Sequence, residues 1–343
     1  MKATKQLARA VALGLLLLTG TGCEKMLVGP QVTNTPEENF DLLWREFDQL
    51  YGSFEVRGVD WNGLYAQYRP QVTPATSEAE LLGIVGHLLD HLNDGHVWIA
   101  TPGDPPRRYD SGKHYAKTDF DLSVVKSRYL KNAQQIGNDV TYGTLANGRL
   151  GYVHLLSLGA SPKFYEEAMG KALDALKDTE GLIVDARELT GGDDRSSQLV
   201  ASRFASARKL FMTSRWRNGP GHQDFTPRVE WYVQPGGAWQ YRKPVVLLTN
   251  RFTQSAGETF TLAMRQNPNV TQLGDSTYGI FSEATRRELP NGWIVSLSVG
   301  DYRAADGQSY EGIGLAPQVL VKNRKQDVLA GRDEALEKAM QRL

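Results

Sequence analysis

Ser255 stands where an apolar run, Val245-Val246-Leu247-Leu248, passes through a short polar loop into Ser255-Ala256-Gly257-Glu258, which has the composition of a helix start. A serine at such a junction presents its hydroxyl beside unpaired helix N-terminal amides, with the Ala256 N–H directed at whatever bonds to the serine. The same residue also reads as a helix cap, because serine is a preferred cap residue and Glu258 at the third helical position completes a capping box. A nucleophilic role requires a base nearby. Six histidines are available: His87, His91, His96, His114, His154 and His222. His96 stands apart because Asn93-Asp94-Gly95-His96-Val97 forms a turn between an apolar helical stretch and the β-like run Val97-Trp98-Ile99. Such a corner can aim an imidazole into a cleft, or can simply hydrogen-bond it to its neighbours. Zinc is a further possibility, since His87 and His91 lie four apart on one helix with Asp90, Asp94 and His96 close by. Against zinc, Leu88 follows His87 where the zinc-protease motif places its glutamate, and His87 falls among the core positions of its helix.

The elements that must position these residues follow from the hydrophobic pattern. Phe40, Leu43, Trp44, Phe47, Leu50 and Tyr51, and then Leu81, Ile84, Val85, Leu88, Leu89 and Leu92, recur at helical spacing. Between them Asp60 caps a further helix that Pro70 closes. Residues 37–100 thus read as an N-terminal helical domain. Residues 101–137 read as a polar connector holding a strand or two. A hairpin is predicted over 139–145 and 149–156 around Ala146-Asn147-Gly148. A helix over 162–177, a buried strand over 181–187, Gly191-Gly192, a helix near 194–207, a strand over 244–250 and a helix from Ser255 to Arg265 then repeat strand, turn, helix. That is α/β logic with crossover connections, assigned to 138–325, and a charged closing helix is expected over 326–343.

The chain has 343 residues, 41% of them apolar, and balances 39 basic against 39 acidic side chains. Phosphate binding normally leaves a basic excess, so nucleic acid is not expected as a partner. Cys23 is the only cysteine, which excludes an internal disulfide and any zinc site built from several thiolates. Residues 1–22 read as an export signal: Lys2, Lys5 and Arg9 precede an apolar run from Ala10 to Leu18 that is too short to span a membrane. Thr19-Gly20-Thr21-Gly22 then leads into Cys23, which resembles a bacterial lipoprotein cleavage site, with Gly20 where leucine is usual. Lipidation of Cys23, a tether over 23–36 and residence in the cell envelope are the expectations.

In order and spacing, several motifs resemble the C-terminal processing (tail-specific) peptidase family, which includes the tricorn protease core. They are Asn39-Phe40 with Leu43-Trp44, Asp60-Trp61, Asp94-Gly95-His96, Gly151-Tyr152, Asp185-Ala186-Arg187 with Gly191-Gly192, and Thr253-Gln254-Ser255-Ala256-Gly257-Glu258. Gly274-Asp275-Ser276-Thr277-Tyr278-Gly279 and Glu311-Gly312-Ile313-Gly314-Leu315-Ala316-Pro317 complete the set. The resemblance implies a serine peptidase on a crotonase-like α/β core, acting on peptides or unfolded protein without metal or organic cofactor. Some members use a Ser-Lys dyad, but this chain has no lysine between Ser255 and Lys322, and the intervening arginines stay protonated. The tricorn-like arrangement implies instead His96 as base and Glu311 as its orienting acid, with Ala256 and Gly192 or Gly191 supplying oxyanion amides. Asp185 and Arg187 are expected to brace the strand end. Leu189 stands where the family often has asparagine, and the connector after His96 is too short for the PDZ domain of many members. The alternatives are a non-catalytic peptide- or lipid-binding module of the same fold and a zinc hydrolase centred on His87, His91 and His96.

Overall fold

The computed structural model describes residues 33–343 apart from 113, 116 and 118; residues 1–22, expected to be an export signal, and Cys23 lie outside the described residues. Its organising element is a seven-stranded sheet in the order Val319–Leu320, Val270–Gly274, Val245–Thr249, Gly181–Asp185, Leu150–Leu155, Val140–Leu145, Lys131–Ile136. The first five strands are mutually parallel, and the last two close antiparallel as the predicted hairpin and one more strand. The three central strands are buried along their whole length, because both faces of the sheet are covered. Alternation along the strands sorts the side chains. Leu182, Val184, Val245 and Leu247 face the helices Pro162–Leu176, Asp194–Ser202 and Ala256–Arg265. Ile183, Val246 and Leu248 face Ala335, Leu336 and Ala339 of Glu334–Arg342. The chain is a mixed α/β protein.

The N-terminal helices Pro36–Leu50, Trp61–Tyr68 and Glu78–Asp90 are capped by Thr35, Asp60 and Ser77, the last in a capping box with Glu80. Phe40, Leu43, Phe47, Trp61, Leu88 and Leu89 form their shared core. That core is not closed by helices alone. It is completed by Val97 and Ile99 and by Trp293, Val295 and Leu297, from a four-stranded sheet ordered Ala284–Glu288, Ile294–Ser298, Trp98–Ala100, Arg108–Asp110. The stretch read as a helical domain therefore shares a sheet with residues far along the chain, and this pairing carries the His96 turn to the C-terminal half. No helix among the described residues is long and apolar enough to cross a membrane.

The connector holds two strands, Arg108–Asp110 and Lys131–Ile136, in keeping with the strand or two expected there; the second is an edge strand of the main sheet, and five of its six residues are exposed. An edge strand gains its pairing from backbone hydrogen bonds and can be polar on both faces, so its composition carried no apolar signal. One sequence expectation is corrected. The single closing helix is two, Lys325–Leu329 and Glu334–Arg342, parted at Gly331, whose φ is 80°. The second must restart because Asp333 caps Leu336 N at 2.9 Å and also binds the buried Arg187 at 2.8 Å.

Candidate active site

Ser255 begins the helix Ala256–Arg265 just past the carboxyl end of the central strand Val245–Thr249, the end at which parallel α/β sheets hold ligands. The intervening loop is tied down: Thr253 Oγ1 donates to Ala186 O at 2.7 Å, and Asn250 Oδ1 accepts from Phe252 N at 2.9 Å. The Ser255 backbone sits at φ 55°, ψ −126°, a region that L residues rarely occupy. Ser255 and Glu258 form the capping box that the sequence suggests, so the serine also closes the helix end. Glu258 braces the junction further. Its fully buried carboxylate accepts from Thr277 Oγ1 at 2.6 Å, Gly279 N at 2.7 Å and Ile280 N at 2.7 Å, and from Ser255 N at 3.3 Å. Burial pushes its pKa up to about 8 against the pull of these donors.

Gly191 and Gly192 lie directly against this serine. Gly191 has φ 100°, and a Cβ there would come 2.7 Å from the Ser255 Cβ. The loop is stitched to residues 156–158 by Thr190 N to Leu156 O (3.0 Å), Leu158 N to Gly191 O (2.7 Å) and Asp193 N to Leu158 O (3.0 Å). Among the described residues, the amides of Gly191, Gly192 and Ala256 donate to no protein acceptor. Leu189, in place of the usual asparagine, supports the loop by other means: its carbonyl accepts from Gln254 N at 3.0 Å and its buried side chain packs on Gly257. Ser255 and Gly192 line one groove of about 730 Å³ with Trp216, Trp231, Phe281 and Asp194. A smaller cavity of about 360 Å³, lined by Phe54, His222 and Arg303 among others, contains none of these groups.

His96 follows the buried Asp94, whose Oδ1 accepts from His96 N at 2.9 Å and whose Oδ2 accepts from Tyr51 Oη at 2.9 Å. The turn needs Gly95, since a Cβ there would lie 2.8 Å from Tyr278 Oη. Burial lowers the His96 pKa, the Asp94 carboxylate opposes this and Arg57 adds to it, so the imidazole is neutral at pH 7. Its Nδ1 is enclosed without a hydrogen-bond partner among the described residues. Glu311, 5% exposed, accepts from Phe281 N at 2.8 Å and from Arg57 Nη2 at 2.9 Å. Burial raises its pKa to about 7 in spite of Arg57.

The structure brings Glu311 and the His96 turn onto one residue, Arg57, and brings Glu311 to the Ser255 segment through Phe281, next to the Ile280 carbonyl that accepts from Ser255 N at 3.1 Å. Among the described residues no hydrogen bond joins His96 directly to Ser255 or Glu311. His87, expected in the helix core, is 76% exposed beside Asp90, and His91 bonds Tyr68 Oη at 3.0 Å; neither converges with His96. Arg187 and Asp185 brace the strand end as expected: Arg187 Nη2 meets Asp185 Oδ2 at 2.6 Å, and Tyr152 Oη donates to Asp185 at 2.8 Å. Arg57 and Glu258 were not singled out for the site by sequence reasoning. Glu258 was visible only as a cap acid, and Arg57 ends the four-residue helix Phe54–Arg57, where no local pattern marks it.

Comparison with known proteins places the chain in a family. Residues 149–321 match peptidase family S41 and residues 33–90 match the tricorn protease C1 domain. Carboxy-terminal processing protease CtpA of Bacillus subtilis is 25% identical over 91% of this chain and 75% of its own length. Tricorn protease homolog 1 of Streptomyces coelicolor is 27% identical over 57% of this chain, but only 17% of its own length is matched. Among solved structures, a putative peptidase from Parabacteroides merdae superposes with a TM-score of 0.79 at 30% identity, covering 90% of this chain and 96% of that one. With the family match covering half of the sequence, this chain belongs to peptidase family S41 and is a hydrolase of the serine-peptidase type.

Proposed function

We propose that the chain hydrolyses peptide bonds from Ser255, with His96 as general base and Glu311 as the acid that stabilises the imidazolium. The observation that carries this is the Ser255 junction: a serine at φ 55° lining the groove, beside three amides that donate to no acceptor among the described residues. Attack of Oγ on the peptide carbonyl would pass the hydroxyl proton to His96, which returns it to the leaving amine. Ala256 N–H and Gly192 or Gly191 N–H would hold the oxyanion, and water would then release the acyl group. The neutral His96 is in the protonation state a base needs, and Glu311 is linked to its turn by Arg57. We read the parallel core with its crossover helices as crotonase-like, and C-terminal processing of peptides or unfolded proteins as the activity, after the relatives of that name. Selection of substrate would fall to the groove walls.

A fluorophosphonate is expected to attach at Ser255. Catalysis in this scheme needs Glu311 ionised, and its pKa is raised to about 7, so the labelling rate rises with pH through about 7 and falls away below it. Absence of an adduct at Ser255 in folded protein would remove the proposal. We further propose that Cys23 carries the lipid that holds the chain at the envelope membrane. Acyl mass on an N-terminal Cys23 peptide after expression in a bacterial host supports this, and an unmodified thiol in exported protein overturns it.

A further inference from the structure

Arg57 is 6% exposed, far more buried than a surface arginine, yet it lines no part of the groove holding Ser255. Its guanidinium reaches three places at once. Nη1 donates to the carbonyls of Leu92 (3.2 Å) and Asn93 (2.6 Å), the residues that open the His96 turn. Nη2 lies 2.9 Å from Glu311 Oε1 and 3.8 Å from Asp94 Oδ2, so one cation faces the acid proposed to serve His96 and the acid that holds its turn. The place is shaped for it. Gly58, at φ 64°, ends the helix behind Arg57, and Gly312, at φ 77°, lets the guanidinium in: a Cβ there would lie 3.3 Å from Nη1.

His96 and Glu311 come from opposite ends of the chain, and no hydrogen bond between them fixes their separation among the described residues. A rigid planar donor bonded to both segments sets that separation, whereas an ammonium on a flexible stem holds its acceptors in no fixed plane. We propose that Arg57 is a positioning residue of the hydrolytic site: it clamps the His96 turn to Glu311. This rests on the assignment of Ser255, His96 and Glu311 made above.

The groups that face this cation and Glu311 are Asp94 and His96 on the turn, Tyr51 from the end of the first helix, Tyr278 from the Ser255 side, and Glu258 behind the Gly279 and Ile280 amides. An opposite charge within ~4 Å holds a carboxyl down by about one to three pH units. With Arg57 gone, only the Phe281 amide still opposes burial and Asp94 at Glu311, and its ionisation moves to higher pH. His96, which Arg57 lowers, moves in the same direction, so both effects push the acid limb of activity upward.

The test is the fluorophosphonate labelling rate at Ser255 in the full chain, followed across pH for the wild type, Arg57→Gln and Arg57→Lys. Arg57→Gln is expected to move the acid limb up by about one unit or more and to slow labelling at pH 7 roughly tenfold or more. Arg57→Lys keeps the charge without the three-way clamp: the limb stays within about half a unit while the rate falls at every pH. A purely structural arginine would lower the melting temperature and leave both the limb and the rate per folded molecule unchanged, and that result overturns the proposal. Should Arg57→Gln not fold, Arg57→Lys decides, and wild-type labelling in the lysine variant overturns the clamp. Failure of the wild type to label at Ser255 would sink the catalytic assignment itself, an outcome distinct from normal labelling in the arginine variants.

Discussion

Ser255→Ala is expected to lower kcat/KM toward an unfolded protein substrate by about four orders of magnitude or more, with the melting temperature nearly unchanged. The activity loss follows from removing the hydroxyl that the strand-to-helix junction presents to the groove, since the neighbouring Thr253 hydroxyl is buried on Ala186 O. No thiol can substitute, since Cys23 is the sole cysteine and lies before the described core. A residual rate over water would persist, because the Ala256 and Gly192 amides remain to polarise a bound carbonyl. Stability should largely survive because alanine suffers the same backbone strain at φ 55° as serine does, and losing a serine cap costs only about 1 kcal/mol. The bracing of the junction runs through the Ser255 amide, which donates to Ile280 O at 3.1 Å and remains in the variant. Turnover within tenfold of wild type would mean that the nucleophile lies elsewhere.

Much of this arrangement is legible in the sequence for definite reasons. Leu182-Ile183-Val184 and Val245 to Leu248 are continuous apolar runs because both faces of their sheet are covered, and each leads into a turn and a helix, so the crossover units and Ser255 stand out locally. Glu311 could be named only through the resemblance, since a carboxylate before a glycine turn has no pattern of its own. Arg57 was out of reach: its partners Leu92, Asn93 and Glu311 are set by how the helices close on the strand Ile294–Ser298, a pairing that no local spacing encodes. The helical N-terminal stretch looked self-contained because its stripes are amphipathic. Part of what they pack on, Leu289, Trp293, Val295 and Leu297, lies near the other end of the chain.

The strained serine also explains why its surroundings are so heavily bonded. A backbone held at φ 55° costs about 1–3 kcal/mol and persists only where neighbours over-determine it. Glu258 gathers the Ser255, Gly279 and Ile280 amides on one side, and Leu189 O holds Gln254 N on the other. Both supports use buried groups and backbone contacts, so the fold itself sets the placement of Ser255.

Gly192→Ala should separate the oxyanion loop from the rest of the site. A Cβ at Gly192 would lie 2.1 Å from the Leu158 carbonyl carbon and 2.4 Å from Gly159 N, and φ is 143°. The obstacle is backbone, so it cannot swing aside as a flexible side chain would. The loop must move outward, breaking the Leu158 N–Gly191 O and Asp193 N–Leu158 O bonds, of 2.7 and 3.0 Å. Lost hydrogen bonds and strain together amount to roughly 2–4 kcal/mol, seen as a clear fall in melting temperature. Moving the loop also withdraws the Gly192 amide from the carbonyl it would polarise, which is expected to reduce kcat by about 10²–10³ with a smaller change in KM. Gly159→Ala is the control: Gly159 lines the same groove, but a Cβ there would meet only Ser157 Oγ at 3.2 Å, so it should fold and turn over nearly as wild type. A Gly192→Ala protein that loses stability yet keeps wild-type kcat would take the oxyanion role away from this loop and leave Ala256 N–H to carry it alone.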